Sequence, residues 1–328
     1  MKVTDISAPV LAKVKENRVF RRLYQWYSAN LSRGQIAVKL FIYAFLSVVA
    51  FVFVYPFLYM VVTSTKSVND LYDLSVNWIP RGFHVENYTY AWKMLGYVRH
   101  FLISCFLTGA GVVLKVLCCS FIGYGFARYK FRCKGLLFFF AILSIIMPVQ
   151  TILLPQYLIF ANLQWTGSYL PLLVPQIFGY GLKGGLFIFL FRQFFLNLPT
   201  SLEEAARIDG CGAFMTFWKV ALPTVRTSVV VTVVLAMVWH WNDYYEPSIY
   251  ISNVQMLPLP SMLPQVKAAY DSLFGGAIDA TASNAGALVS EGTLMAAIFL
   301  VVLPVLIVYA FLQKKFMQGI ERSGLGGD

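Results

Sequence analysis

Charged side chains are scarce in this sequence of 328 residues: 12% of the residues are Asp, Glu, Lys or Arg, against 59% that are hydrophobic. An average soluble domain is about 25% charged. So few charges cannot cover the surface of a water-soluble particle of this size, which excludes an ordinary soluble protein. The composition therefore predicts an all-α integral membrane protein, whose solvent is the lipid bilayer.

Side chains that carry chemistry are also few. The three histidines, His84, His100 and His240, are scattered and offer neither a metal site nor a nucleophile arrangement. The five cysteines have the spacing of neither a metal site nor a disulfide framework. The Gly-x-x-x-x-Gly-Lys-Ser/Thr loop that cradles nucleotide phosphates is missing from the sequence. We therefore expect no catalytic residue, metal or cofactor on this chain, which argues against a membrane enzyme.

The excess of basic residues, a net charge of +11, does not indicate a nucleic-acid partner. Lys and Arg lie in short clusters between apolar runs, which is the pattern of positive-inside membrane topology. Residues 1–39 are polar and basic, and no small-residue cleavage site follows the apolar run that begins at Leu40. They are therefore expected to form a cytoplasmic N-terminal extension rather than a signal peptide.

Apolar runs long enough for a membrane-spanning helix, about 20 residues, indicate six transmembrane helices. The predicted spans are 40–62, 101–127, 136–160, 169–191, 227–251 and 292–313. Prolines at 148, 155, 171 and 175 should kink the third and fourth spans. The predicted organisation is thus a transmembrane domain over 40–313, followed by a polar tail over 314–328.

The polar segment 199–223, between the fourth and fifth spans, is the most informative stretch of the sequence. Ser201 and Glu204 form a capping box that predicts the start of a helix. The Asp-Gly pair at 209–210 predicts its end, and a second amphipathic piece over 213–222 follows. Two short helices along the membrane surface suit a cleft in a cytoplasmic partner. An ordinary amphipathic connection at the interface is the alternative.

The same segment resembles the signature loop of ABC importer permeases: Glu-Ala-Ala, three residues, Gly, nine residues, Ile, one residue, Leu-Pro. Here the motif runs from Glu204 through Gly210 to Pro223, and its only departure is Val220 in place of Ile. Flanking stretches are similar to the carbohydrate branch of the family, the maltose-transporter type. They are Gly125–Phe131, Phe191–Phe195, Trp241–Asp243, Glu86–Tyr88 and Gln313–Gly319. The resemblance covers roughly residues 40–328.

This resemblance implies a type I ABC importer architecture with a cytoplasmic coupling helix. The implied partners are a second permease subunit, forming a heterodimer, and a dimer of ATPase subunits that hold ATP and Mg. An extracytoplasmic sugar-binding protein would dock on the long external loop 252–291, and the cargo would be an oligosaccharide. The residues implied in ATPase coupling are Glu203, Glu204, Ala205, Ala206, Asp209, Gly210, Val220, Leu222 and Pro223.

Polar residues inside the spans are candidates for a substrate path, because intramembrane charges are costly. The candidates are Lys115, Lys183, Trp241, Asn242, Asp243, Tyr244, Tyr245 and Glu246. Aromatic rings and hydrogen-bonding groups toward the outer end of the fifth span suit a saccharide. The alternative uses are an aromatic belt with helix–helix hydrogen bonds for the fifth-span cluster, and backbone or carboxylate contacts for the two lysines.

Two rival transport functions stay open at this point. A secondary transporter driven by an ion gradient usually shows internal repeats and buried acidic residues. Here no strong repeat is evident, and acidic residues in the spans occur only near the end of the fifth. An ABC importer permease for a substrate other than sugar is the second rival.

Of the 26 Lys and Arg residues, 19 fall in the two terminal segments and in segments 128–134 and 192–226, against five on the opposite side. The positive-inside rule therefore predicts that both termini are cytoplasmic. The family resemblance implies that the membrane is a bacterial cytoplasmic membrane. Topology reporters fused at Arg33 and Gly324 should both report a cytoplasmic location. An extracytoplasmic signal at either position would contradict the six-span topology.

Overall fold

The computed structural model describes residues 18–181, 183–274 and 290–322. The regular elements of this part of the chain are helical. The α-helices, in chain order, are α1 Arg18–Ser64, α2 Val68–Tyr72, α3 Glu86–Met94, α4 Tyr97–Arg128, α5 Lys134–Ile146, α6 Val149–Asn162, α7 Leu170–Ile177, α8 Gly184–Leu196, α9 Thr200–Ile208, α10 Ala213–Thr216, α11 Leu222–Thr224, α12 Arg226–Asn242, α13 Tyr245–Tyr250, α14 Leu263–Phe274 and α15 Glu291–Arg322. A π-helical turn, Phe217–Ala221, joins α10 to α11, and two 3₁₀ turns, Val254–Met256 and Leu259–Met262, precede α14.

The chain divides into two compact units, Met1–Met60 and Val61–Asp328. In the first unit, the described structure is helix α1 as far as Met60, and nearly all its large apolar side chains from Val38 onward are exposed. The remaining helices belong to the second unit. Each unit therefore presents apolar surface that is suited to lipid rather than water.

Three helices are long and apolar enough to cross a membrane: Val38–Ser64, Tyr97–Arg128 and Glu291–Lys314. Three bent helix pairs meet the same test when each pair is taken together, so the described residues provide for as many as six spans. The prediction of an all-α membrane protein of about six spans is confirmed. The third, fourth and fifth predicted spans are each divided into separate helices, which goes beyond the kinks predicted for the third and fourth.

The third predicted span, 136–160, consists of two helices, α5 and α6, that meet at a bend of 108°. Pro148 explains the break. The residue before a proline is forced out of the helical region, and Met147 accordingly takes φ −65° and ψ 126°. Pro148 itself has no N–H to continue the hydrogen-bond ladder, and α6 begins after it. The proline thus redirects the chain instead of merely kinking one helix.

The fourth predicted span, 169–191, is interrupted between α7 and α8. Gly179 and Gly181 adopt positive φ angles of 71° and 90°, and Lys183 follows with φ 55°. Left-handed conformations break a right-handed helix, and glycine adopts them without steric cost. Lys183 therefore lies in the break, at the start of α8, and not inside a span as the sequence suggested.

The fifth predicted span, 227–251, is also interrupted. Helix α12 ends at Asn242, and Asp243 takes a non-helical ψ of 103°. The Asp243 carboxylate accepts a hydrogen bond from the backbone N–H of Glu246 at 3.3 Å, near the start of α13. An aspartate that satisfies a free N–H at a helix start favours such a restart of the helix.

The core of the second unit is built around the contact of α4 with α8. Gly123 permits the close approach, because a Cβ at this position would lie 3.0 Å from the backbone nitrogen of Arg192. Phenylalanines of α8 fill the space beside it. The buried members of this cluster include Cys119, Tyr124, Phe126, Phe187, Phe191, Phe194, Phe195, Phe217 and Ala221.

A second apolar cluster joins α3, α14 and α15 to the end of α12. Its fully buried members include Ala91, Leu95, Leu259, Ala296 and Ala297. The 3₁₀ turns before α14 contribute to it, since Leu257 and Met262 are buried there as well. Residues 257–262 of the predicted external loop 252–291 are therefore packed against the helices, whereas residues 252–255 are exposed.

Replacing Gly123 by Leu should destabilise the protein, because the new side chain would overlap Phe191 and the backbone of α8. Overpacking of this kind costs about 1–3 kcal/mol. Gly125 provides the matched control: it lies on the same helix, and a Cβ there meets nothing within 4 Å. Thermal unfolding of the detergent-solubilised variants measures the difference. Equal unfolding temperatures for Gly123→Leu and Gly125→Leu would contradict the close packing of α4 and α8.

Candidate functional site

Segment 199–223, which carries the sequence motif, folds as two short helical pieces with a sharp bend on either side. Helix α9 turns away from α8 by 76°, and the piece Ala213–Thr224 meets α12 at 81°. Between the two pieces, Gly210 has φ 82° and Gly212 is extended. The predicted arrangement of helix, glycine break and second helix is confirmed as local structure.

Glu203 anchors this segment to the end of α4. Its side chain is buried, and its Oε1 accepts a hydrogen bond from Nε of Arg128 at 2.6 Å. The hydroxyl of Tyr124 donates to Oε2 at 3.3 Å. The Arg128 guanidinium also donates to the backbone carbonyl of Leu198, just before α9. A charged pair with further hydrogen bonds is the arrangement that makes a buried carboxylate tolerable.

This role of Glu203 differs from the sequence-based expectation. The family resemblance implies that Glu203 takes part in ATPase coupling, whereas its buried carboxylate contacts α4 of its own chain. In the sequence, Arg128 contributes only to the charge asymmetry, and its spacing does not mark it as the partner of a glutamate 75 residues later. The pairing became apparent only once the fold had brought α4 and α9 together.

The predicted capping box is wrong. Helix α9 begins at Thr200, so Ser201 lies inside its first turn, and Pro199 occupies the N-cap position without a side-chain hydrogen bond. Proline can take this place because its fixed φ, here −58°, leads directly into a helix. Ala206 and Glu203 form the buried face, whereas Ala205 and Glu204 are exposed. Only half of the expected alanine face is therefore available to another protein.

The turn at Gly210 closes α9 as predicted. The N–H of Gly210 donates to the carbonyl of Arg207 at 3.0 Å, and the N–H of Cys211 donates to that of Ala206 at 2.9 Å. These bonds satisfy carbonyls at the helix end in the manner of a left-handed glycine cap. A Cβ on Gly210 meets nothing within 4 Å. The residue is therefore required by its backbone conformation and faces open space.

Large apolar side chains are exposed on both sides of this turn. Ile208 is 86% exposed and Phe214 is 68% exposed, and Trp218 is half-exposed one helical turn after Phe214. The Phe214 and Trp218 rings stack with centroids 6.4 Å apart. The sequence motif did not single out Ile208, although its place opposite Glu203 and Ala206 follows from helical periodicity. Together with Met215, these side chains form an apolar knob: Ile208, Phe214, Met215 and Trp218.

The second half of the motif packs several of its side chains into the core of the second unit. Phe217 and Ala221 are buried in the α4–α8 core, and the Phe217 ring lies 5.2 Å from that of Tyr124. Leu222 packs on the same cluster, Val220 is partly buried, and Pro223 is exposed. Phe217 and Ala221 therefore fasten the segment to the core, while the side chains of the apolar knob project from it.

Lys115 is buried in the middle of α4. Its Nζ lies 3.4 Å from the carbonyl oxygen of Tyr180 and 5.9 Å from the centre of the Phe187 ring. Tyr180 belongs to the break between α7 and α8, where the helical hydrogen-bond pattern of the backbone is interrupted. The sequence left two roles open for Lys115: lining a substrate path, or bonding to backbone or carboxylate groups. The contact with the Tyr180 carbonyl is of the second kind.

Lys183 is exposed and lines a cavity of about 350 Å³. The cavity lies between α5, α6 and the break before α8, and Glu246 is the other charged residue in its wall. Gln156, Ser144 and Tyr180 add polar groups. Sites for small molecules typically measure about 300–1,000 Å³, so this cavity is at the lower limit for a ligand.

The predicted path residues at the end of the fifth span, 241–246, lie in different environments. The Trp241 indole is buried and donates to the carbonyl of Val301 on α15 at 3.0 Å, which is a helix–helix hydrogen bond. The Asn242 amide bonds within its own helix, to Val238. Asp243 and Glu246 line a second, small cavity together with His240. Tyr244 and Tyr245 are exposed, with their rings 6.4 Å apart.

Comparison with curated proteins gives similar permeases along nearly the whole chain. The sequence is 28% identical over 303 residues to the probable ABC transporter permease protein YurM of Bacillus subtilis (strain 168), which covers 92% of this chain and 91% of that protein. It is 26% identical over 308 residues to the arabinooligosaccharides transport system permease protein AraQ of the same organism, covering 92% and 99%.

The fold is shared with a solved transporter. One chain of the crystal structure of a bacterial ABC transporter involved in the import of the acidic polysaccharide alginate matches with a TM-score of 0.71 and 22% identity, over 87% of this chain and 98% of that one. The model of the family described as binding-protein-dependent transport system inner membrane component matches residues 119–322, which include the anchored segment and its buried glutamate. This chain belongs to that family, the inner-membrane permeases of ABC importers.

Proposed function

We propose that this chain is the permease subunit of an ATP-driven, binding-protein-dependent importer whose cargo is a carbohydrate, most specifically an oligosaccharide. Family membership supports the transport role. The similarity to AraQ, a permease of an arabinooligosaccharides transport system, supports the cargo class, because the two chains align over nearly their full lengths. In this proposal the chain forms half of the translocation path and hydrolyses nothing itself.

The observation that carries the proposal is the combination of a buried anchor and an exposed apolar knob in one segment. Glu203 fixes α9 to Arg128, while Ile208 and Phe214 project into solvent. Exposed aromatic and aliphatic side chains on a fixed support are typical of the centre of a protein interface. Segment 199–223 is therefore proposed as the coupling helix, which inserts into a cleft of the cytoplasmic ATPase subunits.

The cavity beside Lys183 and Glu246 is the proposed place where this subunit meets its cargo. Its polar and aromatic groups suit sugar hydroxyls and ring faces. Among the other predicted path residues, Tyr244 and Tyr245 are exposed and able to contact a saccharide. Trp241 and Asn242 use their polar groups within the fold, so their proposed role is to support the path rather than to line it.

The assembly proposed around this chain contains a second permease subunit, two ATPase subunits that hold ATP and Mg, and an extracytoplasmic binding protein. Both termini are proposed to be cytoplasmic. Within the proposed docking loop 252–291 for the binding protein, residues 257–262 are buried and residues 252–255 are exposed candidates for the contact. Residues 264, 265, 267 and 268 are exposed and stay candidates. Residues 275–289 lie outside the described part of the chain.

Replacing Gly210 by Asp should impair coupling to the ATPase. The positive φ of 82° strains any residue with a Cβ, at about 1–2 kcal/mol, and the side chain would add bulk and charge beside the apolar knob. The membrane domain should fold normally, since a Cβ at this position meets no neighbour. Retention of the co-expressed ATPase subunits during purification, together with binding-protein-stimulated ATP hydrolysis, measures the effect.

Gly212→Asp is the matched control, because it adds the same charge two residues away at an extended, unstrained backbone. It should retain clearly more ATPase than Gly210→Asp. A Gly210→Asp complex with wild-type subunit stoichiometry and wild-type stimulated hydrolysis would remove the proposed coupling role of this segment.

A further inference from the structure

An apolar loop, residues 72–85, follows the first span and exposes large hydrophobic side chains outside any predicted span. Leu74 is 95% exposed, Ile79 is 84% exposed and Phe83 is 79% exposed. Tyr72 and Val85 are also largely exposed. Single exposed apolar residues need no explanation, but several in one short loop mark a surface that is covered by something other than water.

The C-terminal end of the apolar loop is held at the point where α1 ends. The backbone N–H of His84 donates to the carbonyl of Thr65 at 2.9 Å, one residue beyond the last residue of α1. The buried side chain of Asn87 donates to the carbonyls of Ser64 and Lys66, both at 2.9 Å. The loop is therefore fixed to the end of a membrane-spanning helix and cannot move far from it.

The middle of the loop is held as well. Nζ of Lys66, a buried lysine, donates to the carbonyls of Val76 at 3.1 Å and Asn77 at 2.7 Å. The carboxylate of Asp70, also buried, accepts from the backbone N–H of Arg81 at 3.2 Å. These polar contacts and the buried Val76 order the loop, whereas Leu74, Ile79 and Phe83 are directed outward.

The charges of the loop are partnered with one another. Arg81 forms an ion pair with Asp73. The hydroxyl and the backbone N–H of Ser75 both donate to the Asp73 carboxylate, which lowers the pKa of this group below its usual value. The aspartate thus keeps its charge and its pairing with Arg81. Within loop 72–85, therefore, the exposed apolar side chains lie beside an ion pair and not beside a lone charge.

We propose that the apolar loop is an interfacial anchor, which inserts Leu74, Ile79 and Phe83 into the headgroup–acyl boundary of the membrane beside the outer end of the first span. The attachment of the loop to residues 64–66 places it at that depth, because α1 is apolar up to this point. Apolar side chains presented beside polar, partnered groups are the composition of interfacial membrane contacts.

A soluble binding protein is the less suitable occupant. Interfaces that form and dissociate are about as apolar as the rest of a protein surface, whereas this loop exposes aliphatic and aromatic groups almost completely. A permanent protein neighbour, such as a second permease subunit, would also cover the loop. That neighbour is the alternative which the experiment must separate from lipid.

The test places an environment-sensitive fluorophore on single cysteines at Leu74, Ile79 and, as control, Ser75. The native cysteines are replaced, and the chain is purified with its co-expressed partner subunits and reconstituted in nanodiscs of phosphatidylethanolamine and phosphatidylglycerol. Ser75→Cys is the matched control, because it lies next to Leu74 but belongs to the polar group around Asp73. Shallow doxyl-labelled lipids quench from the membrane, and iodide quenches from water.

Labels at Leu74 and Ile79 should emit at shorter wavelengths than the label at Ser75, and shallow doxyl lipids should quench them at least about twofold more strongly, since the side chains lie in the interface. Emission typical of water with strong iodide quenching would overturn the proposal. Blue-shifted emission that neither doxyl lipids nor iodide affects would overturn it too, and would assign the loop to a protein neighbour. Both outcomes leave the proposed transport function unaffected.

Discussion

The buried ion pair between Arg128 and Glu203 is the constraint on which the functional segment depends. A carboxylate cannot stay ionised in the apolar core without a partner, so α9 has to lie where Glu203 reaches the end of α4. Once this contact is made, the opposite face of α9 is directed outward, with Ile208 at its exposed end. The position of the knob therefore follows from the anchor.

Backbone breaks supply the second constraint, because they decide where polar groups occur at membrane depth. Pro148 separates α5 from α6, and two left-handed glycines separate α7 from α8. Carbonyl groups freed by such breaks need partners in an apolar environment. Lys115 meets one of them at Tyr180, and the larger cavity opens beside the same break. A buried lysine, an irregular backbone and a cavity are thus parts of one local arrangement.

The sequence was sufficient for the class of fold and for the helix, glycine break and second helix of segment 199–223, because hydropathy and the Asp-Gly turn are local signals. It was insufficient for the third to fifth spans, where hydropathy stays high across breaks imposed by Pro148, Gly179 and Asp243. The pairing of Arg128 with Glu203 is not local, so no pattern along the chain could reveal it. The exposed loop near Leu74 was similarly hidden, since composition does not show which apolar side chains a fold buries.

The central claim, that the ion pair holds segment 199–223 in place, is tested most directly by a double-mutant cycle on thermal unfolding. Arg128→Met and Glu203→Met are measured singly and together in the detergent-solubilised protein, with Glu204→Met as an exposed control. Each single change leaves a buried charge unpaired and should destabilise by about 3–5 kcal/mol, whereas the double variant should recover much of that loss. Single effects that simply add in the double variant, or that are no larger than the effect of Glu204→Met, would contradict the account.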